Sequence, residues 1–174
     1  FAKEIENLNL TVKCSSRVFS DKYMMLVSYS NAQELKLIIK SFLEEFAVRE
    51  KAKTMGLSIA IACGIYLIDK KDDFDLTSAL DNVNIARKGA KETAAKTTVV
   101  IYDESMKQQI NHAIEIVNDA KKALVNHEFV VYYQPKIGLK SSKLVGAEAL
   151  VRWKRPDGSL VPPSDFIPHL EKSE

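Results

Sequence analysis

The sequence predicts an α/β fold in which helices pack on a sheet, followed by one long helix and a second, strand-rich block. Three observations predict it. Short β-branched runs alternate with helix-period stretches as far as Tyr102, in the order strand, helix, strand, helix, strand. Met106, Ile110, Ala113, Val117, Ala120 and Leu124 then recur at alternating spacings of four and three, which draws one narrow apolar seam along a helix. From Glu128 the pattern changes to extended runs punctuated by proline and glycine.

Taken in order, Phe1 to Leu10 reads as the last turns of a helix. Arg17-Val18, a break at Phe19-Ser20-Asp21 and Tyr23 to Val27 read as strand, turn, strand. Asn31 is a natural N-cap, with Glu34 at the third helical position as in a capping box. Behind it Leu35, Ile38, Ile39, Phe42, Leu43 and Phe46 share one helical face. Leu57 to Ile68 is predicted as a buried strand, Leu76 to Glu92 as a helix and Thr97 to Tyr102 as a strand. The helix from Ser105 to Asn126 reads either as an amphipathic helix on its own domain or as a linker between two domains, and the change of chemistry after it favours the linker. Glu128 to Pro135 is predicted as a strand ended by its proline, and Lys143 to Trp153 as the next. Arg155-Pro156-Asp157-Gly158 is a turn, and Val161 to Ile167 a loop leading into a short helix.

Composition narrows the function classes. The chain has 174 residues, 46% of them apolar and 28% charged, the balance of a globular protein. Its net charge of +2 comes from intermixed acids and bases, so a nucleic-acid backbone is not an expected partner. Cys14 and Cys63 are the only cysteines, which fits a reducing compartment and gives neither a disulfide framework nor a zinc spacing. Cys63, inside an apolar run, is expected to be a small buried side chain rather than a reactive thiol. The longest apolar stretch, Leu57 to Ile68, is shorter than the ~20 residues a membrane span needs, and Phe1 opens no signal peptide.

The second block carries the most specific motifs. Tyr133-Gln134-Pro135, Glu148-Ala149-Leu150-Val151-Arg152-Trp153 and Pro163-x-x-Phe166-Ile167 occur in one order and spacing. Together they resemble the opening of an EAL domain, the cyclic-di-GMP phosphodiesterase family. The resemblance implies a TIM-like barrel that hydrolyses cyclic-di-GMP to a linear dinucleotide with Mg²⁺ or Mn²⁺. It implies that Glu148 is a metal ligand and that Gln134, Leu150 and Arg152 line the dinucleotide site, with Arg152 near a phosphate. The physics agrees: hard divalent cations take oxygen ligands, a metal pair can clamp a phosphodiester, and a planar guanidinium suits a phosphate. Taken singly, each residue reads more plainly, Glu148 as a surface strand carboxylate, Arg152 as its solvated neighbour and Gln134 as a strand-end residue.

The first block resembles a GGDEF domain, the diguanylate cyclase module. The features are Arg17-Val18 before a turn, Asp21, Ser58 and Gly64 in the apolar run, Ala86-Arg87-Lys88 with Lys91, and a strand ending Tyr102-Asp103. At the signature itself the sequence reads Phe19-Ser20-Asp21-Lys22-Tyr23. The family's glycines are gone, and Lys22 puts a cation where metal chemistry needs a carboxylate. The product-inhibition motif would fall on Leu10-Thr11-Val12-Lys13, which lacks its Arg and its Asp. This block is therefore expected not to make cyclic-di-GMP. A hairpin that binds nothing and a retained GTP site are both open readings of Phe19 to Tyr23.

The expectation that follows has three parts: a degenerate GGDEF-type sandwich over 1–104 lacking its first strand and helix, a linker helix over 105–127, and the first strands of an EAL barrel over 128–174. A barrel of this kind needs ~250 residues, so both domains read as cut and the chain alone as inactive. The parent is expected to be a cytoplasmic or membrane-anchored phosphodiesterase that binds cyclic-di-GMP, with the dead cyclase as regulator. It would form a homodimer through the linker helix or the EAL part, and no cofactor is expected for this chain alone. The alternative is a non-catalytic cyclic-di-GMP or GTP receptor with both domains degenerate.

Overall fold

A computed structural model describes residue 5 and residues 8–53, 59–69, 74–92 and 96–172. Strand β1 (Thr11–Phe19) and strand β2 (Lys22–Ser28) form an antiparallel hairpin, and helix α1 (Ala32–Lys53) follows. Strand β3 (Ala62–Ile65), helix α2 (Leu76–Glu92) and strand β4 (Thr98–Ile101) make a β-α-β unit with the two strands parallel. Helix α3 (Glu104–Val125) leads to an antiparallel sheet of β5 (Phe129–Ile137), β6 (Leu144–Lys154) and β7 (Leu160–Val161), closed by helix α4 (Pro163–Glu171). The chain divides into two compact units, residues 1–107 and residues 108–174.

In the first unit, Asn31 caps α1 as expected. Its side-chain oxygen accepts from the backbone N–H groups of Gln33 and Glu34 at 2.9 and 3.0 Å. Leu35, Ile39 and Leu43 of α1 are buried with Leu8, Ile65 and Val99. Helix α2 lies close on the sheet through a row of small residues, Ala79, Ala86 and Ala90. The expected mixed α/β character holds, but its single sheet does not: among the described residues β1–β2 and β3–β4 are separate pairs. Strand β1 is mostly exposed on both faces, Val18 and Phe19 included, so it adds little to a shared core. It also begins well before Arg17, because pairing with β2 rather than hydrophobic alternation makes it a strand. Strand β3 is shorter than the predicted run, of which Leu57 and Ser58 lie outside the described residues, as does most of the predicted helix end before Leu10.

The second unit has its own core: Ile116, Ala120 and Ala123 of α3, Trp153 of β6 and Phe166 of α4. The buried stripe of α3 is thus rotated from the predicted seam. Ala120 belongs to both, but Ile110 and Leu124 are exposed. Helix α3 ends with His127 in the left-handed region (φ 56°). The N–H of Glu128 donates to Ala123 at 2.9 Å and that of His127 to Leu124 at 3.3 Å, the two bonds of a Schellman cap. The cap delivers Glu128 to Trp153, whose indole N–H donates to Oε2 of Glu128 at 2.9 Å. Strand β5 does not end at Pro135 but passes through it to Ile137. Being at the edge of its sheet, it tolerates the missing N–H. The turn after β6 is as expected, with Gly158 at φ 85° and its N–H on the Arg155 carbonyl at 2.9 Å. Helix α4 starts earlier than predicted, because Pro163 at its first turn has the φ a helix requires and no N–H to leave unpaired.

Candidate functional site

The β5–β6 hairpin brings the predicted residues of the second block onto one surface. Gln134 stands directly opposite Glu148, Tyr132 opposite Leu150 and Val130 opposite Arg152. Side chains alternate along a strand, so Glu148, Leu150 and Arg152 share a face with Gln134. Val151 and Trp153 take the other face with Phe129 and pack on the α3–α4 core. The ring centroids of Phe129 and Trp153 are 5.4 Å apart, and those of Trp153 and Phe166 5.6 Å, so the core side holds the hairpin in register.

On the candidate face Gln134 and Glu148 are exposed, while Leu150 and Arg152 are half-buried. Nη1 of Arg152 donates to the Val151 carbonyl at 3.3 Å, which leaves most of its fork uncommitted by that bond. Glu148 forms an ion pair with Lys136, Oε2 to Nζ 3.2 Å. The motifs did not point to Lys136; its signal was its place two residues beyond Gln134, and therefore on the same face. Glu148 lies mid-strand in β6.

Glu148 and the Gln134 amide oxygen are donors of the hard class that Mg²⁺ and Mn²⁺ take, and such ions usually fill their remaining positions with water or phosphate oxygens. Glu148 can therefore offer one oxygen ligand of a divalent-cation site, with Gln134 opposite it in register. Among the described residues there is no group of three His, Cys, Asp or Glu placed to hold a metal.

Phe19 to Tyr23, the residues read above as a degenerate signature, lie at the β1–β2 tip. Phe19 and Lys22 close the hairpin as a pair, with Ser20 and Asp21 as the turn. Neither turn residue has a positive φ, so the backbone there needs no glycine. Nε of Arg17 donates to the Ser20 carbonyl at 2.9 Å, and its guanidinium lies 5.8 Å from the Tyr23 ring centre. The Lys22 ammonium stands 5.7 Å from the centre of the exposed Phe19 ring. The tip thus carries one carboxylate and two cations. No helix among the described residues is long and apolar enough to cross a membrane.

Comparison with known proteins agrees with the second-block motifs. Residues 117–174 match the family model of the EAL domain. Signaling protein YkoW of Bacillus subtilis is 28% identical over 165 residues, 91% of this chain and 20% of that protein. Cyclic di-GMP phosphodiesterase PdeR of Escherichia coli is 27% identical over 158 residues, 91% of this chain and 23% of that protein. Cyclic di-GMP phosphodiesterase RocR of Pseudomonas aeruginosa is 36% identical over 80 residues, 43% of this chain and 20% of that protein. The chain spans only 20% to 23% of the length of these curated relatives.

Proposed function

We propose, from the EAL match of residues 117–174, that this chain serves in a cyclic-di-GMP signalling protein whose EAL portion hydrolyses the dinucleotide. In this reading the first unit is a regulatory remnant of a GGDEF domain. The observation that carries the proposal is the register that sets Gln134 against Glu148, with Leu150 and Arg152 on the same face, inside the matched segment.

Each residue has a chemical task. The Glu148 carboxylate offers an oxygen to a divalent cation, and Gln134 offers its amide to the cation's hydration shell or to the ligand. Leu150 supplies the apolar floor on which a guanine base rests. Arg152 offers two parallel N–H groups to a phosphodiester oxygen pair, a charge-assisted contact. A divalent cation bound there would neutralise phosphate charge and lower the pKa of a water. The β1–β2 tip supports no cyclase chemistry, since Lys22 repels a cation from Asp21. A regulatory role by GTP binding at that tip would draw on Arg17 and Lys22 and would show as GTP binding without turnover.

The test uses the protein carrying this chain, with cyclic-di-GMP and Mg²⁺ or Mn²⁺. Turnover is expected, lost in Glu148→Ala. In Arg152→Ala the ligand should bind about 10- to 100-fold more weakly, the scale of a hydrogen bond to a charged group. Tight binding without turnover would replace the hydrolase with a receptor. Neither binding nor turnover would overturn the proposal.

A further inference from the structure

Lys136 is the one residue on the candidate face that the motifs did not predict and that already touches Glu148. Its position follows from the sheet. Directly across from it on β6 is Gly146, which has no side chain, and a Cβ built there would meet nothing within 4 Å. Glu148 is the next residue on the same face of β6, diagonal to Lys136 across the pair. The Lys136 Nζ stands 3.2 Å from Oε2 of Glu148, with both side chains about half exposed.

The consequence is electrostatic and rests on the reading of Glu148 as an oxygen donor to a divalent cation. A carboxylate already paired with an ammonium must surrender or share it when a doubly charged ion arrives, and the two cations then repel. We propose that Lys136 is a positioning residue that holds the Glu148 carboxylate over the face while no cation is bound and, by competing with it, sets how tightly a divalent cation is taken. Removing the ammonium should tighten cation binding; keeping the charge but changing its shape should not.

Mn²⁺ alone serves as the probe, titrated into the protein carrying this chain without nucleotide and followed by the electron paramagnetic resonance of free Mn²⁺. Lys136→Met is expected to bind Mn²⁺ about two- to fivefold more tightly at low ionic strength, the range of an exposed ion pair. Lys136→Arg should behave as the unaltered protein. The gain in Lys136→Met should shrink as salt rises and the Debye length falls to ~8 Å at 0.15 M. Both lysine variants sit at an exposed position, and far-UV circular dichroism checks that they fold. Unchanged Mn²⁺ affinity in Lys136→Met, with affinity weakened by Glu148→Ala, would overturn this inference and leave the proposed function standing. Unchanged affinity in Glu148→Ala would remove the metal-ligand reading itself, and this inference with it.

Discussion

At the scale of single residues, β3 shows what one environment does to one thiol. Cys63 is half-buried against the first core cluster, and its Sγ donates weakly to the Gly64 carbonyl at 3.8 Å. Burial pushes its pKa up from 9.0 to about 11. Below pH 9 the thiol is neutral in both folded and unfolded chains, and nothing is lost. Between 9 and 11 the unfolded chain loses the proton first, so stability falls as pH rises; above 11 both forms are ionised and the loss levels off. The urea midpoint of the unaltered protein should therefore fall more steeply from pH 9 to 11 than that of Cys63→Ala, and equal slopes would refute the assignment. At pH 8 a thiol reagent should modify exposed Cys14 quickly and Cys63 slowly. This much was legible in the sequence, where Cys63 sits inside an apolar run. The Gln134–Glu148 opposition was not. The motif named both residues, but their register depends on a β5–β6 pairing with an irregularity at Lys136/Ile137 that no local pattern announces.

At the scale of elements, what was legible tracks periodicity. Helix α2 occupies the predicted Leu76 to Glu92 because its small apolar residues recur at helical spacing. The start of β1, before Arg17, was missed because Ser15-Ser16 interrupts its short apolar alternation and pairing with β2 makes it extended. The start of α4 was missed because Pro162-Pro163 reads as loop until one asks which of the two can occupy a first helical turn. The α2–β3 packing yields a sharp prediction. A Cβ on Gly64 would fall inside the contact distance of the Val83 carbonyl and the Arg87 N–H, both backbone of α2. Backbone cannot swing aside as a side-chain tip can, so the helix would have to lift from the sheet. Gly64→Ala should cost about 1–3 kcal/mol, the scale of an overpacked core. A Cβ on Gly89, also on α2, would meet nothing within 4 Å, so Gly89→Ala should be neutral or stabilising through helix propensity. Thermal unfolding of the two variants separates the cases, and equal midpoints would contradict the close approach at Gly64.

At the scale of the whole molecule, the sequence announced two blocks of different chemistry, and the structure gives each unit a buried cluster of its own. The division of the strands among the described residues into three small sheets was not legible, because strand partners depend on long-range pairing that composition does not encode. Separate cores have an energetic signature that this chain is well placed to report. Trp153 is the only tryptophan and is buried in the second cluster, so its emission reads that cluster alone. Ile39 lies in the first cluster, and Ile39→Ala would leave a cavity there costing about 2–5 kcal/mol. Contributions of sites that share no partners are nearly independent, and local units open with their own free energies. Far-UV circular dichroism, which includes the 22-residue helix α1, should then show part of the Ile39→Ala transition moved to lower urea, with the Trp153 emission midpoint unmoved. The reciprocal variant, Phe166→Ala, should shift the Trp153 midpoint, because Phe166 packs edge-on against that ring at 5.6 Å. A Trp153 midpoint that follows Ile39→Ala in full would mean that the two clusters melt as one cooperative unit.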